Sequence, residues 1–192
     1  DPNADIIPSF PKDFEKMNKS DFIKKYNMKE LSESDGFLID IIYSTPKNFT
    51  KQIIYQSPIC MLREKTAQKL MEANHIFYSK GYKLKIWDSF RPLIFQRIMF
   101  DIYPDENFVA NPDSEDCPHC KGSAIDLTLC TLDDKEIPMP TEFDHFGPEC
   151  SRDWYNNLNP NVKQNAILLE NTMKECGFIP YKYEWWHFDE FR

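Results

Sequence analysis

Two short stretches hold most of the side chains in this sequence that could break a bond: HCKGSAID at 119–126 and EWWHF at 184–188. The first places His119 seven residues ahead of Asp126, with the small Gly122 and Ala124 between them leaving room for close backbone approach. On a loop running into a strand, those two side chains can converge. The second stretch places Glu184 three residues before His187. Two neutral imidazoles and one carboxylate form a three-donor set for Zn²⁺ that leaves a fourth position for water, which is the make-up of a catalytic and not a structural zinc site. A carboxylate beside such a set, but outside it, can take the proton of an attacking water. Glu184 is placed for that role. A lone histidine is more often an ordinary packed or surface residue, so His75, in mid-helix, and His145 are read as exposed or packed.

The sequence around His119 invites a competing chemistry. CPHC, residues 117–120, spells the active site of a thiol–disulfide oxidant. In that class the two cysteines open a helix directly after a strand, and the helix N-terminus makes the first thiol acidic. Here KGSAIDLTL follows, which reads as a turn into a strand, so the context fails. Cys117 and Cys120 are left as either free thiols or a short bridge around His119.

The elements that must carry these residues follow from periodicity. DPNADIIPSFPKDFEK (1–16), with three prolines, reads as an extended lead-in, and a short helix is expected near Ser20. FLIDIIY (37–43) reads as a strand stopped by STPKN. Residues 63–81 show helical spacing at Ala67, Leu70, Met71 and Phe77, with Gly81 as the cap. YKLKIWDSF (82–90) alternates as a strand and meets Arg91-Pro92, where proline opens a helix to about Tyr103. SAIDLTLC (123–130) is a further strand, 161–177 a helix ended by Gly177, and FIPYKY and EWWHF are strands. The order is mixed, without regular βαβ alternation, which predicts an α+β fold with a central antiparallel sheet flanked by helices. The division expected is a lead-in over 1–36 packed on one domain over 37–192.

With 192 residues and 41% hydrophobic content the chain can bury one core. A net charge of −8 would repel a phosphate backbone, so nucleic acid is not expected as a partner. No run approaches the roughly 18 apolar residues of a membrane span. Six cysteines are many for a reducing compartment. An extracytoplasmic location is therefore slightly favoured over a cytoplasmic one.

HCKGSAID fits H-x-x-G-x-A-x-D and EWWH fits E-x-W-H, and in both the chain resembles the zinc D-Ala-D-Ala peptidases related to the Hedgehog and lysostaphin folds. Within that group it most resembles the D-alanyl-D-alanine dipeptidases associated with vancomycin resistance. IIYSTPKNFT (41–50), GYKLKIWDSFRP (81–92), SAIDLTL (123–129), MPTEFDHF (139–146) and CGFIPYKYEWWHF (176–188) extend the likeness over about 37–190, in the family's order. The resemblance implies a Hedgehog-like peptidase fold and one Zn²⁺ per chain held by His119, Asp126 and His187. It implies Glu184 as general base and Arg91 as the cation that steadies an oxyanion. It also implies Asp144 as the carboxylate that receives a substrate ammonium and Tyr43 as lining the same end, although Tyr43 reads equally as a packed strand aromatic. Asp88 is either a support for Arg91 or a ligand, or an ordinary turn carboxylate. Where the family has a serine whose hydroxyl helps hold the substrate, this chain has Cys117, a weaker donor at the same substrate-facing position, which puts substrate preference in question. The expected substrate is a small dipeptide. A D,D- or L,D-carboxypeptidase acting on longer peptides is the alternative, and a non-catalytic zinc domain is disfavoured by Glu184 and Arg91. Trp185 and Trp186 are expected to wall the site. No oligomeric state is implied.

Overall fold

A computed structural model describes residues 12–114 and 116–190, so most of the expected lead-in lies outside the described residues. Helix α1 (Lys19–Tyr26) begins where Asn18 accepts a hydrogen bond from the Asp21 N–H at 2.9 Å, and it ends at Asn27 in the left-handed region, φ 51°. It buries Phe22 in the main core beside Phe90. Strand β1 (Met28–Glu30) follows. The strand expected over 37–43 is reduced to β2 (Leu38–Ile39), because Ile42–Ser44 closes into a 3-10 turn. The hydroxyls of Ser44 and Thr45 donate to the carbonyls of Ile41 and Ile42 at 2.7 and 2.8 Å, offering the backbone a local alternative to a ladder. The turn aims Tyr43 inward, leaving it buried.

Strand β3 (Met61–Arg63) pairs antiparallel with β1, and helix α2 (Glu64–Ser79) follows, ended by Gly81 at φ 84°. The helix buries Ala67, Leu70, Ala73 and Phe77, where each large apolar side chain contributes about 1.5–3 kcal/mol. Its buried Asn74 accepts from the Leu84 N–H at 2.8 Å and donates to the Gly36 carbonyl at 2.9 Å, which docks the helix to the sheet.

Strand β4 (Tyr82–Asp88), helix α3 (Leu93–Ile102), strand β5 (Ala124–Thr131), helix α4 (Pro160–Glu175) and strands β6 (Ile179–Pro180) and β7 (His187–Asp189) complete the fold. The five-stranded sheet runs β2-β4-β5-β7-β6. It is antiparallel except at β2, which pairs parallel with β4. The α+β class is as expected, and the parallel edge is the departure from it. EWWHF is also not one strand: residues 184–186 form a turn and only His187 onward is extended.

One irregularity decides what the sheet presents to the site. Up to Ile86, paired with Leu127, β4 sends Leu84 and Ile86 into the core with Leu127 and Leu129. The next pair is Asp88 with Asp126, so Trp87 is an extra residue, a bulge. Without it, Asp88 would keep the parity of Leu84 and Ile86 and point into the apolar core. With it, Asp88 joins Asp126 on the opposite face.

Candidate active site

Asp126 pairs with Asp88 on one side and with His187 on the other, so three adjacent strands bring these three residues into one row. His119 reaches the row from a 3-10 turn, Pro118–Lys121, which ends at Gly122 in the left-handed region, φ 72°, immediately before β5. The Arg91 N–H donates to the His119 carbonyl at 3.1 Å, joining the FRP turn to that of CPHC. Both turns are therefore placed by backbone bonds and not by side chains alone.

His119 Nδ1 lies 2.7 Å from the Ser89 carbonyl, and His187 Nε2 lies 2.5 Å from Asp189 Oδ1. Each acceptor requires a proton on the nitrogen facing it, so in the neutral rings the lone pairs are on His119 Nε2 and His187 Nδ1. Those two atoms are 3.2 Å apart, and the Asp126 oxygens lie 3.2 and 2.9 Å from them. In that tautomer, two lone pairs and a carboxylate face one another, all buried, and form a donor set for a cation. The three donor atoms lie within 4.8 Å of one another, a spacing and composition that fit Zn²⁺. Burial favours neutral His187, yet the carboxylates of Asp189 and Asp126 outweigh it and hold the imidazolium pKa up at about 10. Asp126 is driven below the usual carboxylate range by the two histidines, against its burial.

Glu184 Oε2 lies 3.8 Å from His187 Nδ1, outside hydrogen-bond reach, and no hydrogen bond among the described residues holds its carboxyl. Burial raises its pKa well above the ordinary value, with His187 and Arg91 working the other way. The turn that carries it is fixed from outside: Arg152 donates to the carbonyls of Tyr181, Glu184 and His187 at 2.7, 3.0 and 3.0 Å. Nothing in the sequence marks Arg152 for this.

Arg91 is buried, 7% exposed. Its Nε and Nη2 both donate to Asp88 Oδ2, at 2.9 and 2.7 Å, and Tyr55 donates to the other Asp88 oxygen at 2.9 Å. Asp88 is thus an anchor of Arg91 and not a free turn carboxylate. The guanidinium lies over the Tyr43 ring, 5.3 Å from its centre, and Tyr43 donates to Asp144 Oδ2 at 2.5 Å. Burial of the Asp144 carboxyl raises its pKa to about 8, although the hydrogen bond from Tyr43 works against it.

Tyr43, Arg91, Asp126, Asp144, Glu184 and His187 line one cavity of about 150 Å³, together with His119. That is below the usual range for drug-sized ligands, about 300–1,000 Å³. Cys117 also lines it, but its sulfur is joined to that of Cys120, so the expected S–H donor to a substrate is lacking. Trp185 and Trp186 do not line the cavity. They pack at 1% and 0% exposure against Trp87 and Phe143. His75 is exposed, and the exposed His145 pairs with Glu149. Asp189 escaped the sequence reading although a signal was present: it stands two residues after His187, hence on the same face of a strand.

A buried acceptor set shaped for a dication, a carboxyl beside it with no hydrogen bond among the described residues, and an anchored guanidinium 3.7 Å from Asp126, all on one small cavity, define a metal-dependent hydrolase. The sequence profile of the D-Ala-D-Ala dipeptidase family matches residues 30–192. The chain is 30% identical to the D-alanyl-D-alanine dipeptidase of Escherichia coli K12, over 79% of its own length and 77% of that protein's. It is 31% identical to that of Enterococcus faecium, over 80% and 85%. The zinc complex of a vancomycin-resistance D,D-pentapeptidase aligns at 13% identity and a TM-score of 0.44, covering 67% of this chain and 72% of that one. The chain belongs to the D-Ala-D-Ala dipeptidase family, and it is a zinc metallopeptidase.

Proposed function

We propose that the protein hydrolyses the free D-alanyl-D-alanine dipeptide, with His119 Nε2, Asp126 and His187 Nδ1 holding one Zn²⁺. When bound, zinc supplies Lewis acidity, polarising a carbonyl and making a water acidic enough to attack near neutral pH. Glu184 takes the proton of the attacking water on its free carboxyl and passes it to the leaving amine. Arg91, locked by Asp88, presents a permanent positive charge to the carbonyl oxygen as it becomes an oxyanion. Because the guanidinium is fixed before the reaction, it does not reorganise when that charge appears.

Asp144 receives the ammonium of the substrate and so counts its length. An acylated or extended amino terminus brings no cation and leaves a buried carboxylate unpaired, which is how polar pockets reject substrates by large factors. The observation that carries this reading is the small cavity lined by both the three-donor set and the Tyr43–Asp144 pair. The family's substrate, as given by the names of its members, supports it. A location outside the cytoplasm goes with it, supported by the Cys117–Cys120 bridge.

Product analysis tests the substrate: D-Ala-D-Ala beside N-acyl-D-Ala-D-Ala and longer muropeptides, with and without chelator. Release of free alanine only from the dipeptide, and only without chelator, is expected. Preferential trimming of longer peptides would replace the reading by a carboxypeptidase one.

A further inference from the structure

Gln96 is fully buried on α3 and has no role in the mechanism above, yet its amide lies at the join of two parts of the site. Its Oε1 accepts from Arg91 Nη1 at 2.8 Å, and its Nε2 donates to the Ala110 carbonyl at 2.7 Å. The orientation of the amide is fixed by its partners. A guanidinium only donates and a carbonyl only accepts, so turning the amide over would set like against like at both ends. Glutamate lacks the donor, leucine lacks both groups, and glutamine alone satisfies the two neighbours at that length.

Ala110 belongs to the segment 105–114 that roofs the cavity, with Asn107, Phe108, Val109 and Asn111 among its lining residues. Besides Gln96, the roof is tied down by the Tyr181 hydroxyl, which donates to the Asn107 carbonyl at 2.7 Å, and by an exposed ion pair between Arg97 of α3 and Asp113. Arg91 meanwhile has Nε and Nη2 committed to Asp88, and Gln96 fixes the remaining arm. A guanidinium held on two sides cannot swing about its Asp88 hinge.

We propose that Gln96 is a positioning residue of the hydrolysis: through one amide it aims Arg91 and seats the roof, so that the two are set together. Its Oε1 serves the transition state through Arg91, and its Nε2 serves substrate retention through the roof. The inference rests on the role given to Arg91 under the proposed function.

A kinetic cycle on D-Ala-D-Ala tests it, using Gln96→Leu, Arg91→Ala and the double variant, with zinc content and melting temperature measured on each. A hydrogen bond to a charged group sets the scale, so Gln96→Leu should lower kcat about 10- to 100-fold at full zinc content. Added to Arg91→Ala, it should lower kcat less than about twofold further. An equal loss in both backgrounds, or an unchanged kcat in Gln96→Leu, overturns the inference while leaving the role of Arg91 standing. An Arg91→Ala enzyme with wild-type kcat removes that role and the inference with it. Gln96→Glu keeps the acceptor for Arg91 and loses the donor to the roof, so KM should rise more than kcat falls. A kcat as low as that of the leucine variant would overturn the division of labour between the two ends.

Discussion

Replacing Asp189 with asparagine should weaken zinc binding without unfolding the protein. The carboxylate is fully buried and lies 2.5 Å from His187 Nε2, two residues along the same strand. Asparagine keeps the size and an acceptor oxygen, so the His187 ring can stay in place and keep its tautomer. What it removes is a full negative charge next to the imidazole, and with it the push that makes Nδ1 a better donor to a cation. Charge-assisted hydrogen bonds are roughly twice as strong as neutral ones, and loss of such outer partners typically costs 10- to 100-fold in metal affinity. The expected loss is therefore about 1.4–2.7 kcal/mol in zinc binding. Competition against a chelating indicator measures it directly, and kcat at saturating zinc should fall by much less than the affinity does. A zinc Kd within about twofold of wild type would refute the argument that Asp189 sets the basicity of His187. Loss of the cooperative melt in the metal-free variant would show instead that the carboxylate is needed for the fold.

Other consequences are equally direct. Glu184→Gln should bind a full equivalent of zinc and lose about 10²–10⁴-fold in kcat, the usual yield of a positioned base; an active variant removes Glu184 from the mechanism. Asp144→Asn should raise KM for D-Ala-D-Ala and lower kcat/KM by about 30-fold or more, since truncating one side of a buried charge pair costs about 2–5 kcal/mol. The ratio of dipeptide to N-acylated substrate should shrink with it, and an unchanged ratio would mean that another group reads the amino terminus. Replacing Cys117 and Cys120 together by serine opens a four-residue loop and should cost about 2 kcal/mol of stability by denaturant melts. Zinc affinity should change less than about threefold, because His119 is held independently through Ser89 and the Arg91 N–H. A tenfold loss would make the bridge part of the metal site.

The candidate site residues were legible because their types are chemically demanding and their spacing is short: His119 with Asp126, Glu184 with His187. Helices were legible for a related reason, since Leu70 and Phe77 in α2 repeat at helical period and Gly81 marks the end. The strand expected over 37–43 was not recovered, because its apolar pattern says nothing of the Ser44 and Thr45 hydroxyls closing a turn there. The role of Asp88 turned on a bulge at Trp87, and a bulge depends on the partner strand, which no local pattern encodes. Gln96 and Arg152 were invisible for the same reason: their partners are carbonyls, which every residue carries, at distances along the chain that only the fold brings together. The cysteines of CPHC were left open between free and bridged, and they are bridged.

Four buried carboxyl groups, Asp126, Asp144 and Glu184 on the cavity and Asp88 behind Arg91, have burial working to raise the pKa of each. Such a cluster is stable only if every charge has its own counter-charge. Asp88 has Arg91 at 2.7 Å, a permanent partner. Asp126 faces two histidine nitrogens, a donor set that fits zinc. Asp144 accepts a hydrogen bond from Tyr43, and in the proposed function its counter-charge arrives with the ligand, which lets it discriminate a free ammonium from an amide. Among the described residues, Glu184 alone of the four has neither a hydrogen bond to its carboxyl nor a dedicated cation. Its pKa is held up by burial and drawn down by His187 and Arg91, and a dication beside Asp126 acts in the same direction as those two. A carboxyl balanced in that way can accept a proton and give it back within one turnover. The same side chain in a salt bridge of the Asp88 kind would be too weak a base to accept it.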